Sequence, residues 1–281
     1  VLRAADHAGS VLERSWSWTM DYSRDKTPPG EVYASAFHPG ALLRDRYEGS
    51  RGHGAPHSGH HAASWRLVTD ASATGRGALL LENPRRRSHF YFDLTREPFD
   101  PNRYPVIEFD YLLRKRSWLD VAVSTDRGWA LIKFDGDGGG PRRLGEAAPV
   151  RDGRWHRMSF DLASALERAF RAVPGVKTVR LGSWARKTSG GERIRLDNFA
   201  VRPRHEGRKR HFEFGCPPDA TGVKFLALVS REKREPVPGG GGVKAVAERT
   251  EFDLPGGGAW LCVRARDGAG NLGRVSHVRP E

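Results

Sequence analysis

Cysteine is almost missing from this chain of 281 residues, which contains only Cys216 and Cys262. Two cysteines cannot build the dense disulfide framework of a small secreted domain, and they do not identify the redox compartment. No apolar run approaches the roughly 20 residues that a membrane-spanning helix needs. The sequence also has no P-loop, dinucleotide-binding fingerprint or Ser-His-Asp order, so the enzyme classes that use these motifs have no support.

Basic residues outnumber acidic residues, with 47 Lys and Arg against 34 Asp and Glu, and the formal net charge is +13. Such a surplus suits a polyanion: nucleic acid, anionic lipid or acidic polysaccharide. The basic residues are scattered along the chain, and no helix-turn-helix, zinc-finger or aromatic RNA-binding signature accompanies them. We therefore expect no nucleic-acid partner and leave an acidic glycan open.

Short alternating apolar runs between Gly, Pro and Asp predict an all-β chain. About ten such runs precede residue 202, and their spacing predicts a two-sheet jelly roll over residues 30–204. One amphipathic stretch, residues 162–173, predicts a helix that ends before a proline. After a polar linker, about 75 residues with short strands and Gly-rich turns predict a second, Ig-like sandwich over residues 205–281.

The chain begins with a motif that it repeats near its end. "RAADHAG" (3–9) and "RARDGAG" (264–270) agree at five positions. In the second sandwich this motif reads as the penultimate strand and the tight turn after it. Residues 1–29 are therefore expected to be the last strands and exit linker of a truncated upstream Ig-like domain, and their first part is expected to form a hairpin outside the jelly roll.

Alternation along the predicted strands also orients the two cysteines. We place Cys216 and Cys262 on neighbouring strands of the second sandwich, with Cys216 facing inward and Cys262 facing outward. Side chains on opposite faces cannot reach the Cβ separation of about 3.5–4.5 Å that a disulfide requires. The sequence therefore predicts two free thiols.

Two resemblances to known families extend this interpretation. The segment "TEFDLPGGGAWLCVRARDGAGN" (250–271) resembles the end of bacterial fibronectin type III or Ig-like repeats. The series "YPVIEFDYLL" (104–113), "DGRWHRMSFDL" (152–162), "VKTVRLGSW" (176–184) and "IRLDNFAV" (194–201) resembles non-catalytic carbohydrate-binding jelly rolls. Together they imply a sugar-binding module flanked by Ig-like spacer domains in a secreted or cell-surface bacterial protein.

Trp118, Trp129 and Trp184 are the candidate sugar-binding residues. A flat indole can stack on the C–H face of a pyranose ring, while a nearby Arg or Asp hydrogen-bonds the hydroxyls. Trp118 and Trp129 each begin a predicted strand, where exposure at the rim of a sheet is common. For each of the three, the alternative is a core position between the sheets.

Asp197 is the candidate metal ligand. In the jelly rolls that the chain resembles, an Asp in the final strand often helps to hold a structural calcium ion, and Asp197 takes that place in "LDNFAV". Calcium takes about six to eight oxygen ligands, so carbonyls and acids of the early loops would have to supply the others, with Asp45 or Glu48 as examples. The alternative is that Arg193 or Arg195 pairs with the carboxylate.

Glu108 and Asp110 share one face of a predicted strand, and paired carboxylates can hydrolyse glycosides. Leu112 takes the next position on that face, so solvated or salt-bridged acids are the preferred interpretation, and we expect no enzyme. The favoured function is a non-catalytic carbohydrate-binding module. Two alternatives stay open: a purely structural or adhesive array without a sugar site, and an accessory region of a polysaccharide-degrading enzyme.

Overall fold

A computed structural model shows an almost entirely β chain with one short helix in its described part, which confirms the predicted fold class. No described helix has the length and apolar character to cross a membrane. The structure describes residues 2–5, 11–14, 26, 28–29, 32–49, 52–56, 63–70, 72–75, 77–83, 85, 89–115, 117–133, 142–146, 149–183, 191–205, 209–216, 223–254 and 259–278.

The described part of the chain contains 21 strands. They are β1 (Leu2–Ala5), β2 (Val11–Arg14), β3 (Tyr33–Phe37), β4 (Leu43–Asp45), β5 (Ala55–Pro56), β6 (Ser64–Val68), β7 (Ala78–Glu82), β8 (Tyr91–Asp93), β9 (Val106–Leu113), β10 (Asp120–Thr125), β11 (Gly128–Lys133), β12 (Arg142–Glu146), β13 (Trp155–Asp161), β14 (Val176–Gly182), β15 (Arg193–Arg202), β16 (Lys209–Gly215), β17 (Val223–Ser230), β18 (Lys244–Val246), β19 (Arg249–Asp253), β20 (Trp260–Asp267) and β21 (Leu272–Val278). The helix α1 (Leu162–Phe170) follows β13.

The first two strands form a sheet of their own. β1 pairs antiparallel with β2, with Leu2 opposite Arg14 and Ala5 opposite Val11. This pairing confirms the predicted hairpin. The side chains of this hairpin, Trp16 and Trp18 lie outside the described residues.

Two six-stranded sheets form the jelly roll. One sheet has the order β12-β11-β10-β14-β8-β5, and the other has the order β13-β9-β15-β7-β6, with β4 paired to β15. Apolar side chains from the inner faces of both sheets meet in one core, which includes Phe92, Val121, Phe109 and Leu196. The apolar positions of the alternating runs thus lie on the inner face of each strand and form this core.

The helix ends earlier than the sequence predicts. The Asp161 carboxylate accepts a hydrogen bond from the backbone N–H of Ser164 at 3.0 Å and caps the N-terminus. Arg171 takes a left-handed conformation at φ 55°, which ends the helical hydrogen bonding at Phe170. The stop is therefore a local backbone reversal three residues before Pro174.

The strand β3 lies in an unexpected sheet. It pairs antiparallel with β16, and Ala34 lies opposite Phe214. The second sandwich therefore consists of a three-stranded sheet, β19-β16-β3, and a four-stranded sheet, β18-β17-β20-β21. The sequence-based boundary at residue 30 assigned β3 to the jelly roll, whereas its pairing places it with the C-terminal unit. The jelly roll is thus inserted between the first and second strands of that sandwich.

Ion pairs join the two units at the base of this insertion. The Glu213 carboxylate on β16 forms ion pairs with Arg44 of β4 at 2.7 Å and with Arg46 at 3.1 Å. Arg249 of β19 pairs with the same carboxylate at 3.3 Å. Burial tends to raise the pKa of Glu213, but the arginines outweigh it and the pKa is lowered. The carboxylate therefore stays ionised and ties both units together.

The two cysteines are free, as predicted, but they are not on neighbouring strands. Cys216 directly follows β16 in one sheet, and Cys262 lies on β20 in the other. Cys262 turns away from the core that holds Leu261 and Val263, yet it is fully buried. The backbone N–H of Arg234 points at its sulfur at 3.4 Å, so the loop between β17 and β18 covers this face.

Two histidines meet where the chain crosses between the units. His38 follows β3, His205 precedes β16, and their ring centres lie 5.1 Å apart. Burial, with help from Arg202, Arg210 and His38, lowers the pKa of His205 to about 4. Burial, Arg202 and His211 also lower the pKa of His38, whereas Glu108 acts in the opposite direction on both rings.

We expect acid to destabilise this junction. The unfolded imidazoles protonate near pH 6.5, whereas the folded His205 protonates only near pH 4. The free energy of folding that this pKa difference provides is fully present above pH 6.5 and is lost as the pH falls from 6.5 to 4. Because the rings are partly solvated, we expect a loss of about 1–2 kcal/mol. Urea unfolding at pH 7.5 and 4.5 should show a smaller acid loss in His38→Gln/His205→Gln than in the wild type. An equal acid loss in both proteins contradicts the assignment.

Candidate functional site

The outer face of the β12-β11-β10-β14-β8-β5 sheet carries the best candidate site. Val121, Val123 and Ala130 point into the core, so the alternating positions of β10 and β11 point outward. The register places Trp129 opposite Ser124 and Arg180 opposite Ala122. Aromatic and charged side chains from β8, β11 and β14 therefore share one surface.

Arg180 is the centre of this surface. Its guanidinium carbon lies 4.7 Å from the ring centre of Trp129 and 5.5 Å from that of Tyr91. Its Nε donates to the Asp93 carboxylate at 2.6 Å. The two ring centres are thus no more than about 10 Å apart, because both lie at these distances from one carbon atom. We call Trp129, Arg180, Tyr91 and Asp93 the Arg180 cluster.

The cluster has a buried floor and a more open rim. Arg180 and Tyr91 are each 9% exposed, whereas Trp129 and Asp93 are half-buried. Burial raises the pKa of Tyr91 to about 12, with Arg180 opposing and Asp120 reinforcing this effect. The phenol therefore keeps its proton at neutral pH. The His89 ring stacks nearly parallel to the Tyr91 ring at 6.2 Å and extends the aromatic surface.

Of the two predicted tryptophans that the structure describes, Trp129 lies in this cluster and Trp118 does not. Trp118 lies just before β10, where the Arg151 guanidinium carbon is 5.3 Å from its ring centre. At about 3.3 Å per residue, roughly 20 Å of strand separates Trp118 from Ser124, the partner of Trp129. The structure does not bring these two together, and Trp184 lies outside the described residues.

The sequence analysis missed Arg180, Tyr91 and Asp93. A local signal was present, because Tyr91 and Asp93 alternate with core residues Phe90 and Phe92. The side chains of Tyr91 and Asp93 must therefore point away from the core. Their convergence on Arg180 depends on pairing between β8 and β14, which local patterns do not reveal.

Asp197 is fully buried and has protein partners. Its carboxylate accepts hydrogen bonds from the backbone N–H groups of Ala73 at 2.9 Å, Thr74 at 3.1 Å and Asn198 at 2.7 Å. Burial raises the pKa of Asp197 to about 7, and these donors act against the rise. Three amide dipoles directed at one carboxylate stabilise its charged form and hold the 72–75 loop against β15.

The arginines expected near Asp197 bind elsewhere. Arg193 pairs with Glu82 at 2.7 Å, and Arg195 pairs with Asp70 at 2.8 Å. These contacts correct the predicted arginine alternative.

The proposed additional calcium ligands also have partners. The two oxygens of Asp45 contact the backbone N–H and Nδ1 of His53 at 2.8 and 2.6 Å, while Glu48 lies 3.9 Å from Arg46. Within the described ranges, no three His, Cys, Asp or Glu side chains gather as a metal site. Calcium at Asp197 stays a prediction, which thermal melts test.

The acids of β9 lie in a network of ion pairs and hydrogen bonds. Glu108 contacts Arg202 at 2.7 Å and Arg157 at 3.0 Å, and Asp110 accepts from the Asn198 amide at 2.7 Å. Burial tends to raise the pKa of Glu108, but the two arginines lower it overall. Glu108 therefore stays ionised at neutral pH, a poor state for a general acid.

A polar cavity of about 660 Å³ lies at the junction of the two units, beside Arg44, Arg46, Glu213 and Arg249. Its carboxylates contact cationic or imidazole groups, as in the contacts from Arg44 to Glu213 and from His53 to Asp45. These contacts give the cavity a part in joining the units, so the Arg180 cluster remains the better candidate site.

No family model and no curated protein matches the chain. Among solved structures, it is similar to the glycoside hydrolase domain of Endo-D from Streptococcus pneumoniae, with a TM-score of 0.40, 11% identity and coverage of 89% of this chain and 43% of that one. The chain thus spans less than half of that structure.

Carbohydrate-binding modules are also among the similar structures. The C-terminal family 22 module of Clostridium thermocellum Xyn10B has a TM-score of 0.36 and 13% identity, with 58% of this chain and 94% of that one covered. The tandem family 22 modules of Paenibacillus barcinonensis Xyn10C have a TM-score of 0.35 and 11% identity, with 90% and 86% covered.

Proposed function

We propose that the protein is a non-catalytic carbohydrate-binding module and that the Arg180 cluster holds the sugar. The observation that supports this most is the meeting of two aromatic rings, a guanidinium and a carboxylate on one sheet face. The rings offer apolar surface to the C–H face of a pyranose, and the charged pair offers hydrogen-bonding groups to its hydroxyls. The separation of the rings suits a short stretch of a glycan chain.

We further propose that the C-terminal unit is an Ig-like or fibronectin type III-like spacer of a secreted or cell-surface protein. Its support is the division of seven strands into sheets of three and four. The motif shared by residues 3–9 and 264–270 supports a neighbouring domain of the same kind. The glycan is then the external partner, and the spacers hold the module within its parent chain.

Replacing Trp129 with alanine should remove most sugar binding, because a stacking platform of this size contributes well over a tenfold change in affinity. A glycan array first identifies a ligand, and native gels cast with that polysaccharide then compare the variants. Trp65→Ala is the matched control, since Trp65 is 36% exposed on β6 in the other sheet.

Equal retardation of Trp129→Ala and the wild type contradicts this site. Failure of the wild type to bind any glycan contradicts the function and favours the structural or adhesive array. Release of new reducing ends from the polysaccharide contradicts the non-catalytic assignment.

A further inference from the structure

A further aromatic side chain lies on the outer face of the other jelly-roll sheet. On β13, Met158 packs against the core, so Trp155, three positions earlier, points to the outside. The Trp155 ring is half-buried because it packs against a small apolar cluster on β6 and β7. That cluster consists of Val68, Ala78 and Leu80. The sheet therefore covers one side of the indole and leaves the other side to solvent.

The strand register extends this surface into a strip across the sheet. Five outward positions follow one another from β13 through β9, β15 and β7 to β6: Trp155, Leu112, Arg195, Leu80 and Arg66. Neighbouring strands lie about 4.8 Å apart, so the strip is about 19 Å long. The Trp155 ring reaches along it as far as the cluster on β6 and β7. We call these five residues the Trp155 strip.

The strip carries hydrogen-bonding groups beside the indole. No described residue accepts a hydrogen bond from the Trp155 indole N–H, and this nitrogen is not a buried atom without a partner, so it faces solvent. Arg66 is exposed and forms no hydrogen bond or ion pair within the described ranges. Arg195 donates through Nη2 to the Asp70 carboxylate at 2.8 Å. An aromatic platform with adjacent donors and a carboxylate is the combination that holds a pyranose ring.

The apolar part of the strip is too small for a protein partner. The three residues of the cluster under the indole are at most 5% exposed, so Trp155 and Leu112, both half-buried, supply its accessible apolar surface. A whole aromatic side chain accounts for about 150–250 Å², whereas a stable protein interface buries about 800 Å² on each partner. A surface of this size fits one or two sugar rings.

We propose that the Trp155 strip is a second, weaker glycan-binding site, so that one protein molecule holds two chains of the same polysaccharide. This inference rests on the proposed function and adds a site to it. Both sites place an indole near an arginine that a carboxylate holds, Asp93 in one and Asp70 in the other. They lie on the outer faces of two sheets packed about 10 Å apart. They therefore face opposite directions, and one straight chain cannot occupy both.

The test counts bound ligands by native mass spectrometry, with an oligosaccharide of the polysaccharide that the glycan array identifies. The wild type should bind two copies. The second copy should have a dissociation constant about tenfold higher or more, because the strip has one aromatic ring where the Arg180 cluster has two. Trp155→Ala should lose the weaker step, and Trp129→Ala should lose the tighter one. Arg66→Ala removes one exposed donor and should weaken the second step at least about threefold.

Trp65→Ala is the matched control and should bind two copies like the wild type. Trp65 lies on the same sheet, but on β6 it shares the core-facing side with Leu67.

The outcomes separate this inference from the proposed function. One bound oligosaccharide per wild-type chain at saturation overturns the second site and leaves the carbohydrate-binding function in place. Two copies bound with wild-type affinities by both Trp155→Ala and Arg66→Ala overturn its location. Retained tight binding by Trp129→Ala overturns the Arg180 cluster as the main site, and binding to no glycan overturns both proposals. The count on the wild type needs no variant, so it remains decisive if Trp155→Ala fails to fold.

Discussion

Deleting residues 1–37 is expected to unfold the C-terminal sandwich, whereas deleting residues 1–26 should leave it folded. The longer deletion removes β3 and Val32, which is 3% exposed in the core of that sandwich. It also uncovers β16, whose Phe212 and Phe214 are fully buried. Loss of a whole strand and its core contacts should cost at least about 4 kcal/mol, enough to remove the cooperative transition of a small unit.

Calorimetry and limited proteolysis of the two truncated proteins check this expectation. The matched control is the deletion of residues 1–26, which keeps β3 and should leave the jelly-roll transition almost unchanged. A synthetic peptide of residues 31–38 should restore protection to a fragment of residues 205–281. Identical melting and proteolysis of both truncated proteins would contradict the insertion of the jelly roll into the sandwich.

The second large effect is expected at Asp197. Asp197→Ala leaves three backbone N–H groups, those of half-buried Ala73 and Thr74 and of buried Asn198, without their acceptor. Unmade hydrogen bonds of this kind should lower the free energy of unfolding by about 3 kcal/mol or more. Thermal and urea unfolding measure the loss. The control Asp70→Ala removes an exposed carboxylate from Arg195 and should hardly move the melting temperature.

The same melts decide between the protein partners and calcium. Equal melting temperatures in EDTA and in millimolar calcium would show that the amide donors alone satisfy the Asp197 carboxylate, and would contradict the predicted calcium site. A site filled at a hundredfold excess over its dissociation constant would add about 2.7 kcal/mol. A calcium-dependent rise in the wild type that Asp197→Ala abolishes is the result that the predicted calcium site requires.

Local pattern was sufficient to predict the strands and the two-layer architecture. Runs such as Phe90 to Leu94 alternate between core and surface, and this alternation depends only on neighbouring residues. The place of β3 could not be predicted in this way, because its partner β16 lies beyond the whole jelly roll in sequence. The sequence order therefore joined β3 to the unit that follows it directly.

The candidate site also combines features that the local sequence predicts with features that depend on long-range pairing. Trp129 was accessible to sequence reasoning as an aromatic residue at the start of a strand. Its meeting with Arg180 and Tyr91 required the registers of strands far apart in sequence. Asp197 stood out as an acid among apolar neighbours, but its donors are backbone amides of the 72–75 loop. Every residue type except proline carries a backbone N–H, so the sequence does not reveal which amides will bind a carboxylate. The sequence therefore suggested a cation or an arginine as the partner of Asp197.

The most direct test is fluorine NMR of protein labelled with fluorotryptophan, recorded during titration with a glycan that the array identifies. The chain has eight tryptophans, and single Trp→Phe variants assign their signals. Sugar bound at the Arg180 cluster should shift the Trp129 signal progressively and leave the Trp65 signal unchanged. A saturating ligand that shifts Trp65 or any other signal while that of Trp129 stays fixed would contradict the site.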